Sequence, residues 1–332
     1  MRNYLSLTDL ASDQTEMLLR LSDYLKTHPD ARPLAGKVVG LLFMNPSLRT
    51  LASIQSGVAQ LGGGSFVIQP GSGSWQLETR DGIVMDGAEQ EHLREAIPVL
   101  AQYCDLLGVR CFAKQQSLSE DLADGLMRQI ADLSPKPVIN MESASDHPCQ
   151  ALADWKTLDD IDVPRDGKFV LSWAYHPKPL PYAVPRAALM MAARRGMHVT
   201  VLRPAGYDLP DQILVEARAY TRVQTTDDRV VALDGAHVLY CKSWCRPDLY
   251  GHPDAELAAR SHLRDWCVAE SWFESARPNA KFMHCLPVRR NVKVADEVLD
   301  GPRSIVLAQA ANRLHVQKAI MTHLMEKNNG AS

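Results

Sequence analysis

Short apolar runs alternate with longer amphipathic stretches along most of the chain. The runs Val38–Met44, Ser65–Gln69, Leu106–Phe112, Pro137–Met141, Phe169–Trp173, Val199–Leu202, Val238–Tyr240, Phe282–Cys285 and Ile305–Leu307 are rich in Val, Ile and Leu and are predicted as strands. Helical spacing over Asp9–Leu25, Leu51–Gln60, Arg94–Tyr103, Ser119–Leu133, Gln150–Leu158 and Pro185–Arg195 predicts helices between them, with Asp30-Ala31-Arg32-Pro33 and Arg165-Asp166-Gly167 as breaks. Strands that alternate with helices make parallel sheets, so the expected class is α/β, with two domains that each carry a central parallel sheet flanked by helices. A second α/β series begins at Gly167, which puts the domain boundary near the helix Gln150–Leu158.

Composition narrows the classes of partner. A chain of 332 residues exceeds the usual size of one domain and can bury two cores. No apolar run approaches the 18 or so residues that span a bilayer, so no transmembrane segment is expected. The N-terminal residues reach Asp9 before any long apolar stretch and offer no small-residue cleavage site, which predicts a cytoplasmic protein. The formal net charge of -3 carries no footprint for nucleic acid; an anionic ligand must be met by a local group of Arg, Lys and His. Seven cysteines without paired short spacing fit reduced thiols better than a disulfide framework or a zinc ribbon.

In open parallel sheets ligands bind beyond the carboxyl ends of the strands, and polar residues collect there in this chain. Ser47-Leu48-Arg49-Thr50 follows the first strand and precedes a helix; it suits a phosphate, and read alone it suits an ordinary N-cap with a surface Arg equally well. Arg110 closes the next strand. Glu142 and His147-Pro148-Cys149-Gln150 follow Pro137–Met141, although a single His before a helix is more often structural than catalytic. In the second half His176, Lys242 and the run His284-Cys285-Leu286-Pro287-Val288-Arg289-Arg290 occupy strand ends, and Asn312-Arg313 precedes a C-terminal helix. Arg49, Arg110, His147 and Arg313 together would make a focused positive site in a slightly acidic protein. A nucleotide-binding Rossmann enzyme is disfavoured: no Gly-x-Gly-x-x-Gly follows the first strand, and Leu61-Gly62-Gly63-Gly64-Ser65 precedes its strand.

Ser47–Thr50, His147–Gln150 and His284–Pro287, in this order and spacing, resemble motifs of the aspartate/ornithine carbamoyltransferases, and the resemblance runs from about residue 1 to 327. Trp75 in its Gly/Ser loop, the segment Asp81–Gly87, the Pro-rich His176–Pro185 and His284–Asn291 resemble the branch that acts on Nα-acylated ornithine, in acetyl or succinyl form. The resemblance implies a carbamoyl phosphate-binding domain over 1–148, an acylornithine-binding domain over 149–308 and a C-terminal helix over 309–327 that returns to the first. It also implies a chain knotted at the Pro-rich loop and a homotrimer of arginine biosynthesis with active sites shared between subunits. No cofactor or metal, no nucleic acid and no membrane is expected. Carried over, Ser47, Leu48, Arg49, Thr50, Arg110, His147, Gln150, Cys285, Leu286 and Arg313 would hold carbamoyl phosphate, with Trp75 reaching in from a neighbouring subunit. Arg49, Thr50, Arg110 and His147 would be catalytic. Glu142, His176, Lys242, Leu286 and Arg289 would meet the acylornithine.

The acyl group is less defined. The position matching Gln90 is Glu in the acetyl enzymes and Pro in the succinyl ones, and Gln lacks the charge that would repel a succinyl carboxylate. Against this, Lys293 matches a lysine that becomes carboxylated in acetyl enzymes, or is simply a solvated surface Lys. The reading leans to N-succinylornithine, with N-acetylornithine as the alternative. One departure from the family pattern is Leu51, where relatives usually carry Arg; it leaves open a carbamoyltransferase-like protein that binds without catalysis.

Overall fold

Two parallel sheets organise the chain, and their central strands are buried on both faces, as helix-covered parallel strands are. The computed structural model describes residues 2–329. Its first half runs α1 (Ser12–Thr27), β1 (Val38–Phe43), α2 (Leu48–Gln60), β2 (Gly64–Ile68), β3 (Leu77–Glu78), β4 (Glu91–His92), α3 (Leu93–Leu100), β5 (Leu106–Arg110), α4 (Leu118–Ala123), α5 (Gly125–Leu133), β6 (Val138–Glu142) and α6 (Pro148–Asp160). The second half continues β7 (Lys168–Trp173), α7 (Ala183–Arg195), β8 (His198–Leu202), α8 (Asp211–Arg218), β9 (Val223–Thr226), α9 (Arg229–Leu233), β10 (Val238–Lys242), α10 (Pro253–Arg260), β11 (Lys281–Met283), α11 (Asp296–Leu299) and α12 (Val306–Asn329). The residues sort into two compact units. Unit 1 holds the chain up to Ala113, Ala123–Cys149 and the stretch from Arg313 onward; unit 2 holds Lys114–Leu122 and Gln150–Asn312. No helix among the described residues is long and apolar enough to cross a membrane.

In unit 1 the strand order is β2-β1-β5-β6, all parallel, with Phe43 paired to Arg110 and Arg110 to Glu142 at the carboxyl ends. The order reverses between β1 and β5, so the strand ends there open the crevice in which such sheets bind ligands. Leu42, Leu107, Val109 and Val138 from the strands pack with Ile97, Met127 and Ile130 from the helices. Gly108 permits the central approach: a Cβ on it would lie 2.9 Å from Met141 Sδ and 3.0 Å from Leu41 Cδ2. On α2, Gly57 faces the C-terminal helix, where a Cβ would meet Lys318 Cγ at 3.2 Å and Met321 Cε at 3.4 Å.

In unit 2 the order is β11-β10-β7-β8-β9, again all parallel, and the reversal falls between β7 and β10. Lys242 pairs with Trp173 at that point. The helix α7 is buried along nearly its whole length by Ala, Leu and Met, and Gly196 at φ +92° ends it in the left-handed conformation that Gly adopts without cost.

Several elements differ from expectation. Ile305–Leu307 is not a strand: Ser304 makes a single bridge to Phe282, and from Val306 the backbone enters α12, closed by the Gln309 N–H to the Ile305 carbonyl. The helix expected over Ser119–Leu133 is two, α4 and α5, because Asp124 takes φ +54°. That turn aims its carboxylate at the Ser143 and Ser145 hydroxyls, which both donate to it. The edge strand β9, whose sequence Val223-Gln224-Thr225-Thr226 has little apolar signal, and the two-residue strands β3 and β4 were not expected.

Candidate functional site

The reversal point of unit 1 gathers the cations. Ser47, in extended conformation, caps α2 by accepting the Thr50 N–H at 3.2 Å on its hydroxyl, which aims the first turn of a 13-residue helix without acidic residues past the end of β1. Thr50 is buried, and its Oγ1 accepts from Arg313 Nη2 at 2.8 Å. Arg313 Nη1 stands 3.3 Å from His147 Nε2. That same nitrogen lies 3.5 Å from Glu142 Oε2, which also receives Arg110 Nη1 at 2.6 Å. Arg110 lies over Phe112, its guanidinium carbon 4.3 Å from the ring centroid. Thr50, Arg110, Glu142, His147 and Arg313 therefore form one contact chain, with a single carboxylate among the cations. Arg49 is half-buried at the same helix start, and Leu48 projects into solvent.

At the reversal point of unit 2, Lys242 ends β10 with its Nζ 3.5 Å from Cys285 Sγ. Arg289 Nε donates to His176 Nε2 at 3.3 Å, and His176 Nδ1 lies 2.9 Å from the Lys178 carbonyl and 3.1 Å from the Lys178 backbone N–H, which donates to it. Burial is the main cause that pulls the His176 pKa down to about 4, with Lys293, Arg289 and Lys242 adding to it, so the ring is neutral at neutral pH. Lys293 is 1% exposed, and burial first, then Lys242, lowers its amine to about 7; it is not a surface lysine. Leu286 has φ +53°, and its N–H is held by His284 Nδ1 at 2.8 Å. Cys285 is buried.

Two of the expected residues stand apart from these groups. Trp75 is 52% exposed and donates its indole N–H to Glu91 Oε2 at 2.8 Å. Gln90 lies at the end of an exposed stretch without regular structure that also shows Ile83, Val84 and Met85 to solvent. Gln150 is buried on α6, its amide donating to Asp154 at 2.8 Å.

Sequence reasoning missed two supporting residues. Asp154 receives Gln150 and Gln309 on one oxygen; its signal was the i, i+4 spacing from Gln150 on one helix face. Arg260, buried and paired with Glu256, donates to the carbonyls of His176, Lys178 and Trp244, and so ties the segments after β7 and β10. Nothing in the sequence of α10 distinguishes that Arg from a solvated one.

The family model for the carbamoyl-P binding domain of aspartate/ornithine carbamoyltransferase matches residues 2–160, and that for the Asp/Orn binding domain matches residues 183–324. The chain is 40% identical to an N-acetylornithine carbamoyltransferase of Xanthomonas campestris, covering 98% of each. It is 37% identical to an N-succinylornithine carbamoyltransferase of Bacteroides thetaiotaomicron, covering 87% of this chain and 88% of that one. Among solved structures it is similar, with a TM-score of 0.94 and 40% identity over 98% of this chain and 100% of the other, to a variant of N-acetyl-L-ornithine transcarbamylase in which Pro replaces Glu. That variant is complexed with carbamyl phosphate and N-succinyl-L-norvaline.

Proposed function

Because this chain belongs to the aspartate/ornithine carbamoyltransferase family, we propose that it transfers the carbamoyl group of carbamoyl phosphate to the δ-amine of an Nα-acylornithine, giving an N-acylcitrulline and phosphate. The observation that carries this reading is the contact chain Thr50–Arg313–His147–Glu142–Arg110 at the reversal point of unit 1. It concentrates positive charge at a helix start in a chain of net charge -3. The δ-amine nitrogen attacks the carbonyl carbon, the bond from that carbon to the phosphate oxygen breaks, and the phosphate takes the amine proton. Ser47, Leu48 and Arg313 hold the phosphate. Arg49, Thr50, Arg110 and His147 face the charge that grows on the carbonyl oxygen and the leaving group, where one preorganised donor contributes ~3 kcal/mol. Gln150, Cys285 and Leu286 bind the carbamoyl group. Glu142, His176, Lys242, Leu286 and Arg289 bind the acceptor, the neutral His176 fixing the Arg289 fork. Lys293 carries a carbamate, formed when its neutral amine adds to CO2 and releases a proton. The protein acts as a cytoplasmic homotrimer, with Trp75 completing a neighbour's site.

For the acyl group, Gln90 favours succinyl: it carries no charge to repel a second carboxylate or to occupy Arg289. The proline-for-glutamate variant with N-succinyl-L-norvaline parallels the difference between the two branches at this position. The second reading, N-acetylornithine, is favoured by the longer match to the acetyl relative. Phosphate release from carbamoyl phosphate is measured with N-succinylornithine, N-acetylornithine and free ornithine. Turnover is expected with the acylated acceptors and fastest with the succinyl one. Exclusive use of the acetyl acceptor overturns the lean. No turnover with any of the three, given Leu51 beside the phosphate loop, makes this a binding protein.

A further inference from the structure

Gln150 sits on α6 and Cys285-Leu286 in the turn after β11, and a single carboxylate connects them. Asp154, with no solvent exposure, accepts on Oδ1 from Gln150 Nε2 at 2.8 Å and from Gln309 Nε2 at 2.7 Å. Gln309, equally buried, turns its other atom, Oε1, to the backbone N–H of His284 at 3.1 Å. His284 Nδ1 in turn receives the Leu286 N–H at 2.8 Å, closing the turn in which Leu286 sits at φ +53°. The carboxylate only accepts and the backbone N–H only donates, so each amide has one orientation. Gln309 cannot flip without losing both partners, and Gln150 keeps its nitrogen on Asp154 and its oxygen as an acceptor. A left-handed Leu is a costly conformation that persists only where neighbours over-determine it. A buried carboxylate is likewise costly to retain on packing grounds alone.

We propose that Asp154 is a positioning residue: it orients the Gln150 carboxamide directly and, through Gln309, pins the His284–Leu286 turn, so that both present fixed groups to carbamoyl phosphate. This rests on the carbamoyltransferase reading of the same site. A residue that served only the fold would, when removed, lower thermal stability and the fraction of active protein. It would leave the affinity of that active fraction for one substrate as it was. A positioning residue raises Kd for carbamoyl phosphate in the folded, active fraction, and raises it more than the acceptor KM.

The test measures Kd for carbamoyl phosphate by calorimetry without acceptor, KM for each substrate, and melting temperature, on the full chain and on Asp154→Ala, Asp154→Asn and Gln309→Ala. Asp154→Ala is expected to weaken carbamoyl phosphate at least ten-fold, with a smaller rise in the acceptor KM through Leu286. Asp154→Asn keeps one acceptor oxygen and is expected to recover most of that loss. Gln309→Ala leaves Asp154 and Gln150 in contact, so it is expected to show a smaller loss of the same kind, and the double variant Asp154→Ala/Gln309→Ala to be no worse than Asp154→Ala. If Asp154→Ala does not fold, Gln309→Ala alone decides. Carbamoyl phosphate affinity within two-fold of wild type in every folded variant overturns the proposal and leaves the functional reading intact. A wild-type protein that binds carbamoyl phosphate but turns over no acceptor overturns the functional reading alone, and one that does not bind it overturns both.

Discussion

At Lys293 a primary amine lies buried beside Lys242, its pKa lowered to about 7 by desolvation and then by that neighbour. The unfolded lysine holds its proton to about pH 10.4. Between those values the unfolded chain binds more protons than the folded one, so this residue makes stability rise with pH from about 7 to about 10, and below pH 7 its full cost is present. The cost is of order 4 kcal/mol. In CO2-depleted buffer Lys293→Met is therefore expected to stabilise the protein at pH 6 by up to that amount, with the gain shrinking to nothing near pH 10, as urea titrations at several pH values would show. In bicarbonate the wild type should gain the mass of one CO2 and lose it when Lys293 is Met; an unchanged mass rules the carbamate out. The sequence could not separate this residue from a surface lysine, since Arg289 and Arg290, three to four residues before it, are charged and exposed. Burial is decided by what packs over a side chain, and Val268, whose N–H bonds the Lys293 carbonyl, is 25 residues away in the chain.

At the scale of elements, α2 and the C-terminal helix meet through Gly57, and that close approach sets the distance from Thr50 to Arg313. A methyl group at position 57 would lie 3.2 Å from Lys318 Cγ, on a buried side chain whose Nζ is held by the Leu25 carbonyl, so Gly57→Ala sets a helix-propensity gain of up to about 1 kcal/mol against a shift of a few tenths of an ångström in that side chain. Gly57→Val adds branches that meet Met321 and Leu314 as well, and must push the helices apart. Gly57→Ala is expected to melt at or above the wild-type temperature with phosphate affinity unchanged. Gly57→Val should melt several degrees lower and bind carbamoyl phosphate at least five-fold more weakly; equal affinity in the Val variant would show that this packing does not position Arg313. Much of the element pattern was legible because Val- and Leu-rich runs such as Val38–Phe43 are too short and too apolar to be surface helices. What escaped was tertiary. Ile305–Leu307 has the composition of a strand but no partner beyond Phe282, and Asp124 breaks a helix because Ser143 and Ser145 reward its left-handed turn.

For the whole molecule, alternation of apolar runs indicated parallel sheets but not their strand order, which the pairing of Arg110 with Glu142 and of Lys242 with Trp173 supplies. That order explains why residues far apart in sequence, such as Phe43, Arg110 and Glu142, meet. Trp75 does not join them: it is exposed, near Glu91, in a unit whose stretch Ile83–Met85 also shows apolar side chains to solvent. Exposed apolar groups of this size suit an interface, and in a closed three-fold ring each interface is heterologous, one subunit's patch against a different patch on the next. If Trp75 completes the neighbour's site, each site draws Trp75 from one subunit and Arg313 from another. Trp75→Ala should then abolish activity. Arg313→Met should be inactive as well. When the two inactive variants are unfolded together in equal amounts and refolded, a site is whole only if its Trp75 comes from the Arg313→Met chain and its Arg313 from the Trp75→Ala chain. With random assembly that holds for about a quarter of sites. Recovery of about a quarter of wild-type activity, together with a sedimenting species of three chains, is the expected result. If Trp75 served its own subunit's site, every site in the mixture would lack one of the two residues and the activity would stay at zero.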